Sequence, residues 1–304
     1  MRKNFDANLK ELFKNRLLLL MFAPVFFYYV IFNYIPMFGL IIAFKDFRPY
    51  LGILGSPWIG FDNFRQFFKS FYFWALLRNT FVLNIYDLIF YFPMPIILAL
   101  LLNEVKRKRF KTIIQTVSYI PHFISLVVIV GLIYDFFSTN GIINQIIGFL
   151  GIEPQRFLNT NKWYIPMFVG STLWQNVGWG TIIYISALTS IDHALYEAAY
   201  IDGAGSFKKL IYITLPGIAP TIIILLILRI GHMMSVGFEK VLLLQNPGNI
   251  EVSEVISTYV YRKGLIEANY SFAAAVGLFN GIINFLLLYL VNMLSRKFSE
   301  TSLW

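Results

Sequence analysis

The chain has 304 residues, 58% of them hydrophobic and 13% charged, with 25 Lys and Arg against 16 Asp and Glu and no cysteine. Soluble globular domains carry about 25% charged residues, and here the apolar excess comes in long uncharged runs, so a soluble domain is excluded and an all-α polytopic membrane protein is expected. Without cysteine there is no disulfide framework, thiolate metal site or thiol nucleophile, and in a membrane protein a net charge of +9 reports Lys and Arg beside anionic lipid, not a nucleic-acid surface.

Residues 1–16 are polar and basic, and Phe5, Leu9, Leu12 and Phe13 recur at helical spacing, which predicts an interfacial helix on the cytoplasmic surface. The apolar run Leu17–Phe44 exceeds the core of a signal peptide and shows no small-residue cleavage site, so it is read as a retained first span, with Pro36 a point for a kink. Residues 45–76 are mixed and aromatic. Phe61, Phe64, Phe68 and Phe71 share a helical face, with Asp62, Arg65 and Lys69 elsewhere. That pattern is open between a helix lying on the outer membrane surface and a loop packed on the spans.

The second span is expected at 77–102 and carries Asn79, Asn84, Asp87, Pro93 and Pro95. The basic loop Lys106–Lys111 follows, and basic clusters beside spans are the norm. The third span is expected at 112–136, an outer segment at 137–162, the fourth span at 163–188, the fifth at 217–238, a third outer segment at 239–270 and the sixth span at 271–294. Six spans place both termini on one side. Lys and Arg are denser on that side: five in residues 1–16, five in Lys106–Lys111, two in residues 189–216 and two in the tail, against four in 45–76, two in 137–162 and three in 239–270. The positive-inside rule therefore puts the termini, and the segment between spans four and five, in the cytoplasm.

That segment has its own organisation. Glu197, Ala198 and Ala199 are good helix formers, Asp202-Gly203 is a turn signal, and Ser206–Ile211 reads as a second short amphipathic helix, with Pro216 and Pro220 turning the chain into the fifth span. Read by spacing, it is Glu-Ala-Ala, three residues, Gly, nine residues, Ile, one residue, Leu-Pro, with Ile213, Leu215 and Pro216 at the end. No nucleotide chemistry is encoded: none of the 20 glycines is followed by Lys, as a phosphate-cradling loop requires. Polar groups in mid-membrane are costly and are functional candidates by default. In span four Asn176, Trp179 and Gly180 fall on one helical face. In span five Arg229, His232, Met233 and Val236 fall on another. Arg229 stands nine residues past Pro220, roughly 13 Å into a core about 30 Å thick. We take Asn176, Trp179, Arg229, His232, Met233 and Asp87 as candidates for a translocation path. Their rings would stack on sugar faces and their polar ends bond hydroxyls. The alternative for Arg229 is a buried structural pair with Asp87, and for the tryptophans plain packing. The three histidines are scattered, and neither His-Glu-x-x-His nor Gly-x-Ser-x-Gly occurs, so we place no catalytic or metal-ligating residue. Gly277 and Gly281 form a Gly-xxx-Gly pair, open between a subunit interface and internal packing.

The segment Glu197–Pro216 resembles the coupling loop of the membrane subunits of binding-protein-dependent ABC importers. Pro36–Gly39, Ile42–Asp46, Gln245–Pro247, Val255–Arg262 and Tyr270-Ser271 with Gly277–Phe279 are similar to the carbohydrate-uptake branch, specifically permeases of the lipoprotein/polysaccharide-transport type. The resemblance implies a permease domain at 17–304 with its coupling loop at 192–216. The loop's first helix would sit in a groove on a separate ATPase, with Glu197 facing a basic group, Ala198 and Ala199 allowing close approach, and Asp202 and Gly203 making the turn. It further implies a bacterial plasma-membrane location and a heterodimer with a second, similar permease. The other implied components are two ATPase subunits holding ATP and Mg, an extracellular solute-binding lipoprotein and an oligosaccharide substrate. The chain itself would carry no cofactor and be no enzyme. Two other classes stay open: an importer of a non-sugar solute, and an ATP-independent channel or carrier. Internal inverted repeats would favour a carrier, and the sequence has none.

Overall fold

The computed structural model describes residues 16–298 and 301–304. The interfacial helix expected at the N-terminus falls on residues 1–15, outside the described residues. Five helical stretches are long and apolar enough to cross a membrane: Arg16–Phe44, Phe73–Glu104, Leu126–Phe149, Ser206–Gly231 and Tyr270–Lys297. The expected fourth span is a 29-residue helix, Asn161–Thr189. At 1.5 Å per residue it is about 43 Å long, ample for a crossing. It falls outside the five because Ser171, Thr172, Gln175 and Asn176 interrupt its apolar run. The chain is thus an all-α polytopic membrane protein.

Each span is built from identifiable pieces. The first begins as α1 (Arg16–Tyr29) and passes through a π turn, Val30–Tyr34, into a 3-10 stretch, Phe38–Phe44. A short helix, α2 (Asp62–Lys69), follows. The second span is α3 (Phe73–Tyr86), a π turn at Asp87–Tyr91 and α4 (Pro93–Glu104). Proline lacks an N–H and its ring clashes with the carbonyl one turn back, and a widened turn makes room for it.

The third span departs from expectation. A continuous helix over 112–136 does not form. Instead α5 (Lys108–Tyr119) gives way to a 3-10 turn, Ile120–Phe123, and the chain breaks before α6 (Leu126–Phe137). Pro121 sits in the 3-10 turn, and the Ser125 hydroxyl accepts from the Val128 N–H at 3.4 Å to start α6 afresh. After Ile142–Phe149 come α7 (Asn161–Thr189), α8 (His193–Ile201), α9 (Ser206–Lys209), a π turn at Leu210–Thr214 and α10 (Leu215–Gly231). The fifth span therefore occupies Ser206–Gly231, not 217–238. Pro216 does not turn the chain there: it stands in the first turn of α10, where its missing N–H is tolerated. Beyond it lie α11 (Phe238–Leu244) and α12 (Tyr270–Phe298).

The chain divides into two units, Met1–Phe68 with Lys263–Leu278, and Lys69–Arg262 with Phe279–Trp304. In the first, Ala43, Phe64 and Ala275 form a buried cluster. The Asn63 side-chain amide donates to the Ala43 carbonyl at 2.8 Å, and the Phe47 N–H donates to the Ser271 hydroxyl at 2.8 Å. α2 buries Asn63, Phe64 and Phe67, whereas Phe61, Phe68 and Phe71 are exposed. The expected aromatic face is thus rotated by about one residue, because Phe67, not Phe68, finds apolar neighbours such as Phe272, at a ring distance of 6.2 Å.

In the second unit one core joins Leu83 of α3, Ile129, Val130 and Ile133 of α6, Tyr164, Met167 and Phe168 of α7, and Val241 of α11. A second cluster joins Ala99 of α4, Tyr184 and Leu188 of α7 and Ile218 of α10. α7 can approach its neighbours because it is bare at two points. A Cβ on Gly178 would collide with the Ser118 carbonyl, and one on Gly180 would meet Pro95 at 2.9 Å. Gly178→Leu is accordingly expected to destabilise the assembled protein by at least about 1–3 kcal/mol, the usual cost of overpacking, while Gly170→Ala, with open space around it, stays near neutral. Thermal unfolding of the detergent-purified protein compares the two. Gly277 and Gly281 have nothing within 4 Å of a Cβ, so among the described residues they make no close packing inside the chain.

Candidate coupling loop and translocation pocket

The helix α8 starts on Asp192, whose carboxylate accepts from the Ala194 N–H at 2.9 Å. It ends in a left-handed glycine. Gly203 has φ +70, its N–H donates to the Tyr200 carbonyl at 3.1 Å, and the Ala204 N–H reaches back to the Ala199 carbonyl at 2.8 Å. These two bonds are a Schellman cap, and they need a residue free of a Cβ at the turn. Asp202 caps the helix just before it. The whole of α8 is without a buried residue. Glu197 is exposed and, among the described residues, pairs with the ring of His193, 3.8 Å away one turn earlier on the same helix. Ala198 is exposed and Ala199 half-buried; Tyr200 and Ile201 are 77% and 84% exposed. Of the closing residues, Ile213 and Leu215 are half-buried and Pro216 is exposed. The expected second short helix is α9, which continues through the π turn into α10 without a break. What the loop presents is therefore a short, outward-facing helix with one carboxylate and three alanines, set on a glycine turn and joined to the foot of a span.

A pocket of about 470 Å³ lies between α3, α7, α10 and α11. Its wall includes Asn84, Asp87, Thr172, Gln175, Asn176, Arg229 and Lys240. Asp87, 3% exposed, forms an ion pair with Arg229. It is the first residue of the π turn in the second span. Lys240 is buried and donates to the Phe168 carbonyl at 3.2 Å and the Thr172 hydroxyl at 2.7 Å. It stands beyond the end of the fifth span, and burial pushes its ammonium down to about 7. The Asn176 amide donates to the Thr172 carbonyl at 3.1 Å, and its oxygen lies 2.9 Å from His122 Nδ1. The His122 ring stacks on Trp179 with centroids 4.6 Å apart and planes 4° apart.

Three of the six residues proposed for a path, Asp87, Asn176 and Arg229, line this pocket. Trp179 does not; it stands against His122. For His232 and Met233 the expected helical register does not hold. α10 stops at Gly231, with the His232 N–H turning back to the Arg229 carbonyl at 3.2 Å and the Met233 N–H to Ile230 at 3.0 Å. The two residues therefore do not continue the helical face of Arg229, and neither they nor Trp179 line the pocket. The chain is held there by Asn284, whose side-chain oxygen accepts from the Met234 N–H at 2.8 Å. Lys240, Thr172 and His122 are pocket or near-pocket residues that spacing missed. Lys240 lies in what reads as an outer loop, and His122 in what reads as an unbroken span.

The family described as the binding-protein-dependent transport system inner membrane component matches residues 91–300 of this chain. The chain belongs to this family. Near full-length relatives agree with that assignment. The chain is 45% identical over 292 residues to protein LplB of Bacillus subtilis strain 168, covering 96% of this chain and 92% of LplB. It is 44% identical over 295 residues to the polygalacturonan/rhamnogalacturonan transport system permease protein YteP of the same organism, covering 97% and 92%. Among solved structures it matches a chain of a bacterial alginate ABC transporter in complex with an alginate pentasaccharide-bound periplasmic protein, at TM-score 0.90 and 39% identity, over 97% of this chain and 99% of that one. As an inner membrane component of a binding-protein-dependent transport system, the chain is a multi-pass transport subunit of an ABC importer, not an enzyme.

Proposed function

We infer that this chain forms half of the translocation path of an ATP-driven importer for an oligosaccharide and is driven through Glu197–Pro216. The observation that carries the reading is α8 itself: a capped helix that buries nothing, placed between two spans, with Glu197 free to meet a basic group on another chain. A helix this short does not persist unsupported in water, so an outward face without buried contacts is built for a partner. The partner is a pair of ATPase subunits that bind ATP and Mg. A second permease with its own Glu-Ala-Ala loop completes the channel, and an extracellular binding lipoprotein delivers the solute. The denser Lys and Arg on the side of α8 support a cytoplasmic loop and cytoplasmic termini in a bacterial plasma membrane. A saccharide is supported by the pocket, where amides, a hydroxyl, Arg229 and Lys240 offer hydrogen bonds to hydroxyl groups, and by relatives named for polygalacturonan and alginate transport.

The test is to tag the chain in its own cell, extract it in mild detergent and identify what stays bound. A second permease and an ATPase with a phosphate-binding loop are expected, and Glu197→Arg is expected to release the ATPase while leaving the permease pair intact. A chain that purifies alone, with uptake indifferent to Glu197→Arg, would overturn the importer reading in favour of an ATP-independent carrier. The binding lipoprotein is then titrated with oligogalacturonides and alginate pentasaccharide; failure of every saccharide alongside a bound amino acid or inorganic anion would overturn the substrate class.

A further inference from the structure

The geometry points to Tyr196 as a positioning residue that ties the coupling helix to the foot of the fifth span. α8 has no buried residue to anchor it, and the chain leaves it through the turn at Asp202–Gly205. Tyr196, half-buried, reaches across to the end of the π turn that leads into α10: its hydroxyl lies 2.9 Å from the Thr214 hydroxyl. Thr214 is 5% exposed and donates to the Lys209 carbonyl at 3.3 Å. A hydroxyl has one proton, so with that proton on Lys209 the Thr214 oxygen accepts and Tyr196 donates. The result is a two-bond chain from α8 to Thr214, at the end of the π turn, and across that turn to the last carbonyl of α9.

The place where this chain lands matters. The π turns Val30–Tyr34, Asp87–Tyr91 and Leu210–Thr214 each end two residues before a proline, Pro36, Pro93 and Pro216. A π turn followed by proline is where a helix bends most readily. In the fifth span that soft point stands between the coupling helix and the pocket wall that carries Arg229. A push on α8 would be absorbed by bending there unless the bend were braced. Tyr196 and Thr214 brace it, so that α8 and α10 move together. An apolar contact also exists, since bare Gly217 faces the side chain of Ile191 just before α8. Tyr196→Phe leaves that contact untouched and removes only the hydroxyl. The proposal rests on the reading of Glu197–Pro216 as the connection to an ATPase.

The experiment uses the whole importer with its binding protein. The chain has no cysteine of its own, so spin labels go at Tyr200→Cys on α8 and Leu228→Cys on α10, both exposed. The distance between them is measured without nucleotide and after trapping with ATP and vanadate. With Tyr196 in place the distance is expected to be the same in both states. In Tyr196→Phe and Thr214→Val it should spread or shift by about 2 Å on trapping, the scale of helix shifts at switching interfaces. Binding-protein-stimulated ATP hydrolysis should fall about fivefold, the worth of one hydrogen bond. Thr214→Ser keeps the hydroxyl and should behave as the parent, and the double variant should be no worse than either single one. An unchanged distance in Tyr196→Phe overturns the proposal, whatever Thr214→Val does to folding. Glu197→Arg separates the two levels. If it leaves the ATPase bound, the coupling reading itself fails; if it releases the ATPase while Tyr196→Phe is silent, only the brace fails.

Discussion

Gly203→Pro is expected to reduce transport to background while the protein still inserts and pairs with its permease partner. Gly203 sits at φ +70, which the proline ring, fixed near −65°, cannot reach. Its N–H also closes the end of α8 on the Tyr200 carbonyl, and proline has no N–H to give. Both Schellman bonds are lost, α8 is no longer aimed by α9, and on the proposed reading Glu197 no longer meets the ATPase. The two core clusters of the second unit are untouched, because α8 contributes no residue to them. Gly203→Ala is the graded control. An L-residue in the left-handed region costs about 1–2 kcal/mol, so the cap is weakened and transport falls without vanishing. Uptake by membrane vesicles, set beside the amount of chain and ATPase recovered from the same membranes, reads the result. Normal uptake by Gly203→Pro would mean that the turn at the end of α8 has no part in driving transport.

The second large effect is expected at the ion pair of the pocket. Asp87→Ala leaves Arg229 on the pocket wall without the carboxylate it pairs with. Breaking a fully buried pair from one side costs about 3–5 kcal/mol; the Arg229 side chain is 37% exposed and keeps part of its hydration, so a smaller loss of about 1–3 kcal/mol is expected. Asp87 is almost wholly buried, so water does not replace the lost carboxylate. Removing both charges is different. Asp87→Ala combined with Arg229→Met takes away the two desolvation costs together and is expected to return most of the stability. Thermal unfolding of the purified complex measures that half of the prediction. Uptake measures the other: if the pair also lines the solute's route, the double variant is stable and still transports poorly. A double variant that is both stable and fully active would make Asp87 and Arg229 a structural pair and nothing more.

The membrane character of the chain, its family and the helix-and-turn build of Glu197–Pro216 were legible in the residues. Each depends on local signals. Long uncharged runs have to leave water, Asp202-Gly203 turns because glycine tolerates φ +70, and Glu197–Pro216 is a spacing that does not depend on what lies far along the chain. The Asp87–Arg229 pair was also legible as one of two options, since two opposite charges at comparable depth in neighbouring spans have few other partners. The path residues were harder. The helical face through Arg229, His232 and Met233 assumed that the apolar run stays helical to its end, but α10 stops at Gly231, where Asn284 on a distant span captures the Met234 N–H. The third span breaks at Ile120–Ser125, and the break is what carries His122 to Asn176 and Trp179. Lys240 enters the pocket wall from a segment beyond the span, held by Phe168 and Thr172. These are contacts between elements far apart in the chain. Hydropathy and spacing therefore determined what must be buried in lipid and where the chain turns. Which polar groups meet inside was decided only by how the helices pack, because a backbone contact between distant segments leaves no periodic trace in either of them.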